Sequence, residues 1–359
     1  MRLRGRAVET GGWRRRKGAD DEAGLSRIAA SGARMNTRAG RATVRLLATL
    51  CCVVFVSAVP AAGGALSPAA GRSPRLTPIT IAVLPLEPTA LAFYAKERGF
   101  FREQGIEAKI TVLLDPAQIV AAVLSGEAQF SSFTTGGLAI LRSRDAPVRL
   151  VAAGALYRPK TPTAGLVAAK GERITRARDL VGKRIAIDST NTLAHIALLK
   201  WLKRNGMSAG DVRFSEIPFA QMLGPLSRGT VDAAVLPEPF LTLSTQRGAQ
   251  RVASIFSSVC SRDCLLTIWI ARRGIDAELA ARFRNAIQAA AVWANQKKNH
   301  PASGAILARY VPIDKAVISK MTRTSFSERL RPVLAQPWID VFAEFGVIPA
   351  SFSAVELVK

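Results

Sequence analysis

Four turns in this sequence bring hydroxyl, amide and carboxylate groups to points where a strand gives way to a helix. One reads Ser131-Ser132-Phe133-Thr134-Thr135-Gly136-Gly137 and another Asp188-Ser189-Thr190-Asn191-Thr192. Each sets several hydroxyls at a helix start, where unpaired N–H groups and the positive end of the helix dipole favour an anion. Taken singly, such a turn is ordinary N-capping. Taken as a pair from different halves of the chain, they form a clamp that closes on one ligand from two sides. The third turn, Pro237-Glu238-Pro239, fixes the direction of one carboxylate between two prolines. That suits an acceptor for a ligand amine or a brace for a neighbouring hydroxyl. The fourth, Pro85-Leu86-Glu87-Pro88-Thr89, floors the same cleft. The candidate ligand-binding residues are therefore Glu87, Ser131, Thr134, Thr135, Ser189, Thr190, Asn191, Thr192 and Glu238.

Catalytic patterns are thin. His195 follows the second turn without an acid placed in sequence to orient it. The chain has no G-x-S-x-G elbow, no P-loop and no G-x-G-x-x-G after a strand. We expect a binding protein, with no catalytic residue, no cofactor and no metal ligands. His195 and His300 are too far from Cys260 and Cys264 in sequence to complete a zinc set.

The elements that must position these turns alternate. Strand-like runs at Ile79–Leu84, Ile106–Leu114, Phe130–Phe133 and Val148–Ala153 are separated by helical patterns over Pro88–Gly99, Pro116–Ser125 and Gly136–Arg144. A second series begins near Ala164, with strands at Gly165–Ala169, Arg184–Ile187, Val212–Ile217, Val231–Leu236, Arg251–Ile255 and Leu265–Ala271. It contains a helix over Thr192–Asn205, and the chain beyond Ala277 is helical. Alternation of this kind implies α/β architecture with mainly parallel sheets flanked by helices. An internal echo supports two similar lobes. Leu124-Ser-Gly126-Glu-Ala-Gln129 and Leu226-Ser-Arg-Gly229-Thr-Val-Asp232 each lead from a helix into a strand, 103 positions apart.

Composition sets the remaining bounds. A chain of 359 residues, 49% apolar, can bury a sizeable core. Its net charge of +24 raises nucleic acid as a partner, yet residues 66–359 keep 38 basic and 22 acidic side chains without a basic block on any helix. Nucleic acid is therefore not expected. The apolar run Leu46–Val59, with Arg38, Arg41 and Arg45 before it and small residues after it, reads as a secretory signal starting from Met35. Residues 1–65 are expected to be leader and signal and 66–78 a tether. Lobe I is expected over 79–160 plus 268–359, and lobe II over 161–267. Export places the mature protein in the periplasm. There, the C-x-x-x-C pair Cys260 and Cys264 suits a small-loop disulfide, with a reduced pair as the alternative.

Several stretches carry a family resemblance in order: Ala95-Lys-Glu-Arg-Gly-Phe-Phe-Arg-Glu-Gln-Gly-Ile-Glu107, Ala121-Ala-Val-Leu-Ser-Gly-Glu-Ala-Gln-Phe130, Asp179-Leu-Val-Gly-Lys-Arg-Ile-Ala186 and Gly229-Thr-Val-Asp-Ala-Ala-Val-Leu-Pro-Glu-Pro239. Over residues 79–346 the sequence resembles periplasmic binding proteins for aliphatic sulfonates, taurine, nitrate and thiamine-precursor pyrimidines. The resemblance implies a two-lobed type II periplasmic binding fold that closes on a small anionic or zwitterionic solute at the turns above. It implies a monomer that delivers its ligand to the permease and ATPase subunits of an ABC importer. The points where the chain crosses between the two series of elements put the expected hinge near Leu156–Pro162 and Leu265–Ala271. Desulfinases and pyrimidine synthases share the scaffold and rely on a His or Cys near the first-lobe cleft. The N-terminal part of that lobe has neither here, which favours a binding role.

Overall fold

Runs rich in Val, Ile and Ala, bounded by turn residues, make the strands, and the computed structural model describes them within residues 76–359. The expected leader, signal and tether up to residue 75 lie outside the described residues. Among the described residues thirteen strands occur in chain order: β1 (Thr77–Val83), β2 (Ile106–Val112), β3 (Phe130–Thr134), β4 (Val148–Ala153), β5 (Ala155–Tyr157), β6 (Ala164–Ala168), β7 (Arg184–Ile187), β8 (Arg213–Glu216), β9 (Ala233–Pro237), β10 (Gln250–Ala253), β11 (Cys264–Leu265), β12 (Thr267–Arg272) and β13 (Ser325–Phe326).

The first sheet runs β2-β1-β3-β12-β4 and the second β8-β7-β9-β6-β10. In the first, β1 is parallel to β2 and β3, and β12 is antiparallel to β3 and β4. In the second, β7 is parallel to β8 and β9, and β6 is antiparallel to β9 and β10. Each sheet thus holds one reversed strand in the same place. Both reversed strands belong to the segments that carry the chain between the sheets. A third, antiparallel sheet, β11-β5-β13, sits at these crossings.

The sequence echo has a structural counterpart. Gly126 and Gly229 both take positive φ, 84° and 69°, ending their helices as side chains rarely permit. Three residues on, Gln129 and Asp232 clasp the neighbouring parallel strand twice. Gln129 N–H donates to the Thr80 carbonyl (3.0 Å) and its side-chain oxygen accepts from Thr80 N–H (2.7 Å). Asp232 N–H donates to the Arg184 carbonyl (2.8 Å) and its carboxylate accepts from Arg184 N–H (2.7 Å). The two polar residues therefore set strand register equivalently in the two sheets.

One expected strand divides. Leu265–Ala271 forms β11 in the crossing sheet and β12 in the first sheet, separated at Leu266. The cause lies at Gly154, where a Cβ would fall 2.5 Å from Thr267 Oγ1. That close approach lets Thr267 donate to the Pro88 carbonyl and accept from Ala155 N–H, both at 2.8 Å. Strands β5 and β13 are too short for a period to show in the sequence. Cys260 and Cys264 are joined by a buried disulfide with Cα atoms 5.9 Å apart, at the entry to β11.

One apolar cluster runs from the first sheet through the crossing strands to one face of the second, where Ile185, Ile187 and Val235 meet helix Leu193–Arg204. The other face of the second sheet, with Val167, Ala186 and Ala234, forms a separate cluster with helices Phe219–Ser227 and Phe240–Gln246. Strand alternation sends neighbouring side chains to these two faces. If the two clasps are equivalent, Gln129→Ala and Asp232→Ala should each lower the unfolding free energy by about 1–3 kcal/mol. The midpoint of denaturant unfolding measures both. Asp232→Ala should cost more, because its carboxylate also faces Lys183 at 3.4 Å.

Candidate functional site

Parallel strands direct their carboxyl ends to one side, and ligands of open α/β sheets bind there. After β1, the Thr89 hydroxyl donates to the Leu84 and Leu86 carbonyls at 2.6 and 2.8 Å, tightening the turn. Glu87 is completely buried. One carboxylate oxygen pairs with Arg323 Nε, and the other accepts from Thr324 N–H and Thr324 Oγ1, both at 3.0 Å. Arg323 also donates to the His300 carbonyl (2.9 Å), Ser303 Oγ (3.0 Å) and the Tyr94 hydroxyl (3.2 Å). Burial pushes the Tyr94 phenol far above its ordinary range. Glu87 thus pins a distant segment to the turn after β1, and both of its carboxylate oxygens are bonded within the protein.

After β3, Thr134 is the N-cap of helix Thr135–Ser143, its Oγ1 accepting from Gly137 N–H at 3.1 Å. Thr135 is completely buried. Its N–H donates to the Leu266 carbonyl (3.0 Å) and its hydroxyl to the Leu265 carbonyl (2.9 Å), which ties the turn to the crossing strand. Ser131 is buried and donates to the Ser132 carbonyl at 2.8 Å, so it shapes the strand end. Gly136 is needed for a close approach, since a Cβ there would lie 2.2 Å from the ring of Phe342. Of this turn, Phe133, Thr134 and Gly137 keep partial exposure.

The turn after β7 has a different electrostatic character. Ser189 Oγ donates to the Glu216 carboxylate at 3.0 Å, and Thr192 Oγ1 to Asp188 at 2.7 Å. Thr192 also caps helix Leu193–Arg204. Asn191 takes φ 58°, and its N–H donates to His195 Nδ1 at 3.0 Å. That nitrogen must therefore be unprotonated, and burial holds the imidazole pKa below its ordinary value, so His195 is neutral. Thr190 and Asn191 are exposed. This turn thus offers carboxylate oxygens beside its hydroxyls, one from its own Asp188 and one brought from β8 by Glu216.

After β9, Glu238 is buried. Its carboxylate accepts from Thr242 N–H (3.0 Å) and Thr242 Oγ1 (2.9 Å), starting helix Phe240–Gln246, and from Thr322 N–H at 3.4 Å. Burial raises its pKa against the pull of these bonds. Glu87 and Glu238, one from each sheet, are thus brought together by the three residues Thr322-Arg323-Thr324. Among the described residues no hydrogen bond joins the Thr134 turn to the Ser189 turn. Two open recesses occur elsewhere. One, of about 610 Å³, lies beside Glu172 and Arg176, and the other, of about 370 Å³, beside Lys96 and Lys109.

Asp188, Glu216, Thr242 and Arg323 were missed from the sequence. Asp188 was legible as the residue that opens the second turn. Glu216 becomes relevant only because β8 pairs in register with β7, placing Glu216 opposite Ile187. Arg323 lies 236 residues from its partner and leaves no local signal. Burial pushes the Asp188 carboxyl up from 3.8 to about 6. The folded state therefore holds this proton more tightly than the unfolded chain, and its contribution to stability falls as pH rises from about 4 to about 6. Asp188→Asn should remove that downward slope from the pH dependence of the denaturation midpoint.

Comparison with known proteins fits this architecture. A taurine-binding periplasmic protein of Escherichia coli is 27% identical over 143 residues, 40% of this chain and 43% of the relative, so the chain spans less than half the length of that curated relative. The periplasmic aliphatic sulphonate binding protein SsuA of Escherichia coli superimposes with a TM-score of 0.63 at 16% identity, covering 80% of this chain and 92% of SsuA. The desulfurization enzyme DSZB superimposes with a TM-score of 0.60 at 16% identity, covering 79% of this chain and 96% of the enzyme. These likenesses establish the two-lobed α/β fold of type II periplasmic binding proteins. The NMT1/THI5-like family model matches residues 89–301, more than half of the sequence, and the chain belongs to that family.

Proposed function

We propose that this chain is an exported, periplasmic solute-binding protein that captures a small anionic or zwitterionic organic solute between its lobes. It delivers that solute, as a monomer, to the permease and ATPase of an ABC importer. The lobes are residues 79–160 with 268–359, and 161–267. The observation that carries the reading is the repetition of one strand order, sense and register clasp in two sheets, each ending in hydroxyl-bearing turns. The taurine-binding and sulphonate-binding relatives support the solute class.

The charge distribution refines it. The first-lobe turn presents a helix start, which favours a sulfonate or similar anion. The second-lobe turn carries Asp188 and Glu216 around Ser189, which favours an ammonium group. A zwitterion spans both. Thr134, Ser189, Thr190 and Asn191 contact it directly, while Glu87, Ser131, Thr135, Thr192 and Glu238 hold the turns in shape. A binding role is favoured over turnover because the His195 Nδ1 lone pair is engaged with the Asn191 N–H.

Thermal denaturation with taurine, ethanesulfonate and nitrate tests this, since a ligand bound by the native state alone raises the transition temperature. The expected order is taurine above ethanesulfonate. No shift with any of them at millimolar concentration overturns the solute class. For a ligand that binds, Ser189→Ala combined with Thr134→Ala should weaken affinity by about one to two orders of magnitude in calorimetric titration, through lost hydrogen bonds to charged groups.

A further inference from the structure

The C-terminal part of the chain does more than complete the first lobe. Helix Lys315–Lys320 packs on helix Phe240–Gln246, and Ile313 joins the apolar cluster on that helix's side of the second sheet. Helix Gln336–Glu344 packs on helix Leu193–Arg204, which covers the opposite face of the same sheet. The segment between these two contacts is rooted in the first lobe and its hinge. Arg323 and Thr324 are bonded to Glu87, β13 pairs with β5, and Phe342 lies against Gly136. The second lobe is therefore straddled by two arms of one segment, which grip helices on its two faces.

The arm on helix Leu193–Arg204 has both apolar and electrostatic contacts. Trp338 meets Phe256 edge-on with ring centroids 5.7 Å apart, and Phe256 packs on Tyr157 of the crossing strand β5 at 5.6 Å. At the other end of the helix, Glu344 takes Lys200 at 2.5 Å on one carboxylate oxygen and Lys203 at 2.9 Å on the other. The Lys203 ammonium also stands 5.5 Å from the Phe345 ring centroid. The Glu344 side chain is 30% exposed and that of Lys200 22%, so the pair is partly shielded from solvent. The Lys200 ammonium holds the Glu344 carboxyl below its usual range.

We propose that residues Ile313–Phe345 form a closure brace, in which the ion pair of Glu344 with Lys200 and Lys203 is the catch that holds the second lobe at its present angle to the first. Rotation about the crossing strands has to slide both helical faces of the second lobe past these arms. The apolar contacts can slip, whereas the ion pair has one geometry and separates when the angle changes. The catch acts on the lobe angle itself, whatever solute the cleft takes.

Hydrogen exchange of the crossing strands Ala155–Tyr157 and Cys264–Leu265, measured on the purified ligand-free protein, reads local opening directly. Glu344→Gln should speed exchange there by about two- to fivefold, the scale of a partly exposed ion pair, and should enlarge the radius of gyration in solution scattering. About 1 M salt, where the Debye length is about 3 Å, should move the unsubstituted protein part of the way to that state and leave the variant unchanged. Reversing all three charges (Glu344→Lys with Lys200→Glu and Lys203→Glu) should restore slow exchange. Equal exchange in the unsubstituted protein and Glu344→Gln at both salt concentrations overturns the brace. Should Glu344→Gln fold poorly, Lys203→Met and the salt comparison on the unsubstituted chain give the same decision. A protein that binds none of the sulfonates yet shows this exchange pattern keeps the brace and loses only the solute assignment.

Discussion

A carboxylate shut away from water must be answered by donors from the protein, and Glu87 imposes that requirement on the turn after β1 and the segment that meets it. Its partners come from residues 323 and 324, on the far side of the second lobe in sequence. Once that pairing forms, the neighbouring Thr322 reaches Glu238, and β13 falls beside β5. The turn after β1, the turn after β9 and the crossing sheet therefore share one buried anchor. Removing either partner would leave an uncompensated charge in an apolar surround, which makes the pairing a constraint on the rest of the fold.

The two lobes meet the same backbone problem with different side chains. Strands β3 and β9 each begin beside a parallel neighbour, where a slip of one residue would turn their buried side chains to the opposite face. Gln129 and Asp232 hold the register by bonding the neighbour through both backbone and side chain. The amide and the carboxylate are alike as acceptors here. They differ in charge, and the second lobe accumulates acids at its strand ends while the first presents a helix start.

Much of the layout was legible in the sequence because it is local. The alternation of strand and helix, the Gly-x-x-polar echo and the capping hydroxyls of Thr134 and Thr192 each follow from residues within a few positions of one another. What escaped the sequence depends on contacts between distant segments. Thr135 carries a hydroxyl like its neighbour, yet its group is used up on Leu265, 130 residues away. Ser189 looks free until β8 brings Glu216 alongside. Leu265–Ala271 reads as one strand with a single polar residue, Thr267, and the contact of that residue with Gly154 reveals where the chain changes sheets.

Gly136 links two regions that would otherwise be independent. With hydrogen as its side chain, the start of helix Thr135–Ser143 lies directly against the ring of Phe342, with no intervening atoms to absorb displacement. Phe342 stands two residues before Glu344 on a single rigid helical turn. A methyl group at position 136 would therefore push helix Thr135–Ser143 away from helix Gln336–Glu344, the helix whose last residue pairs with Lys200 and Lys203.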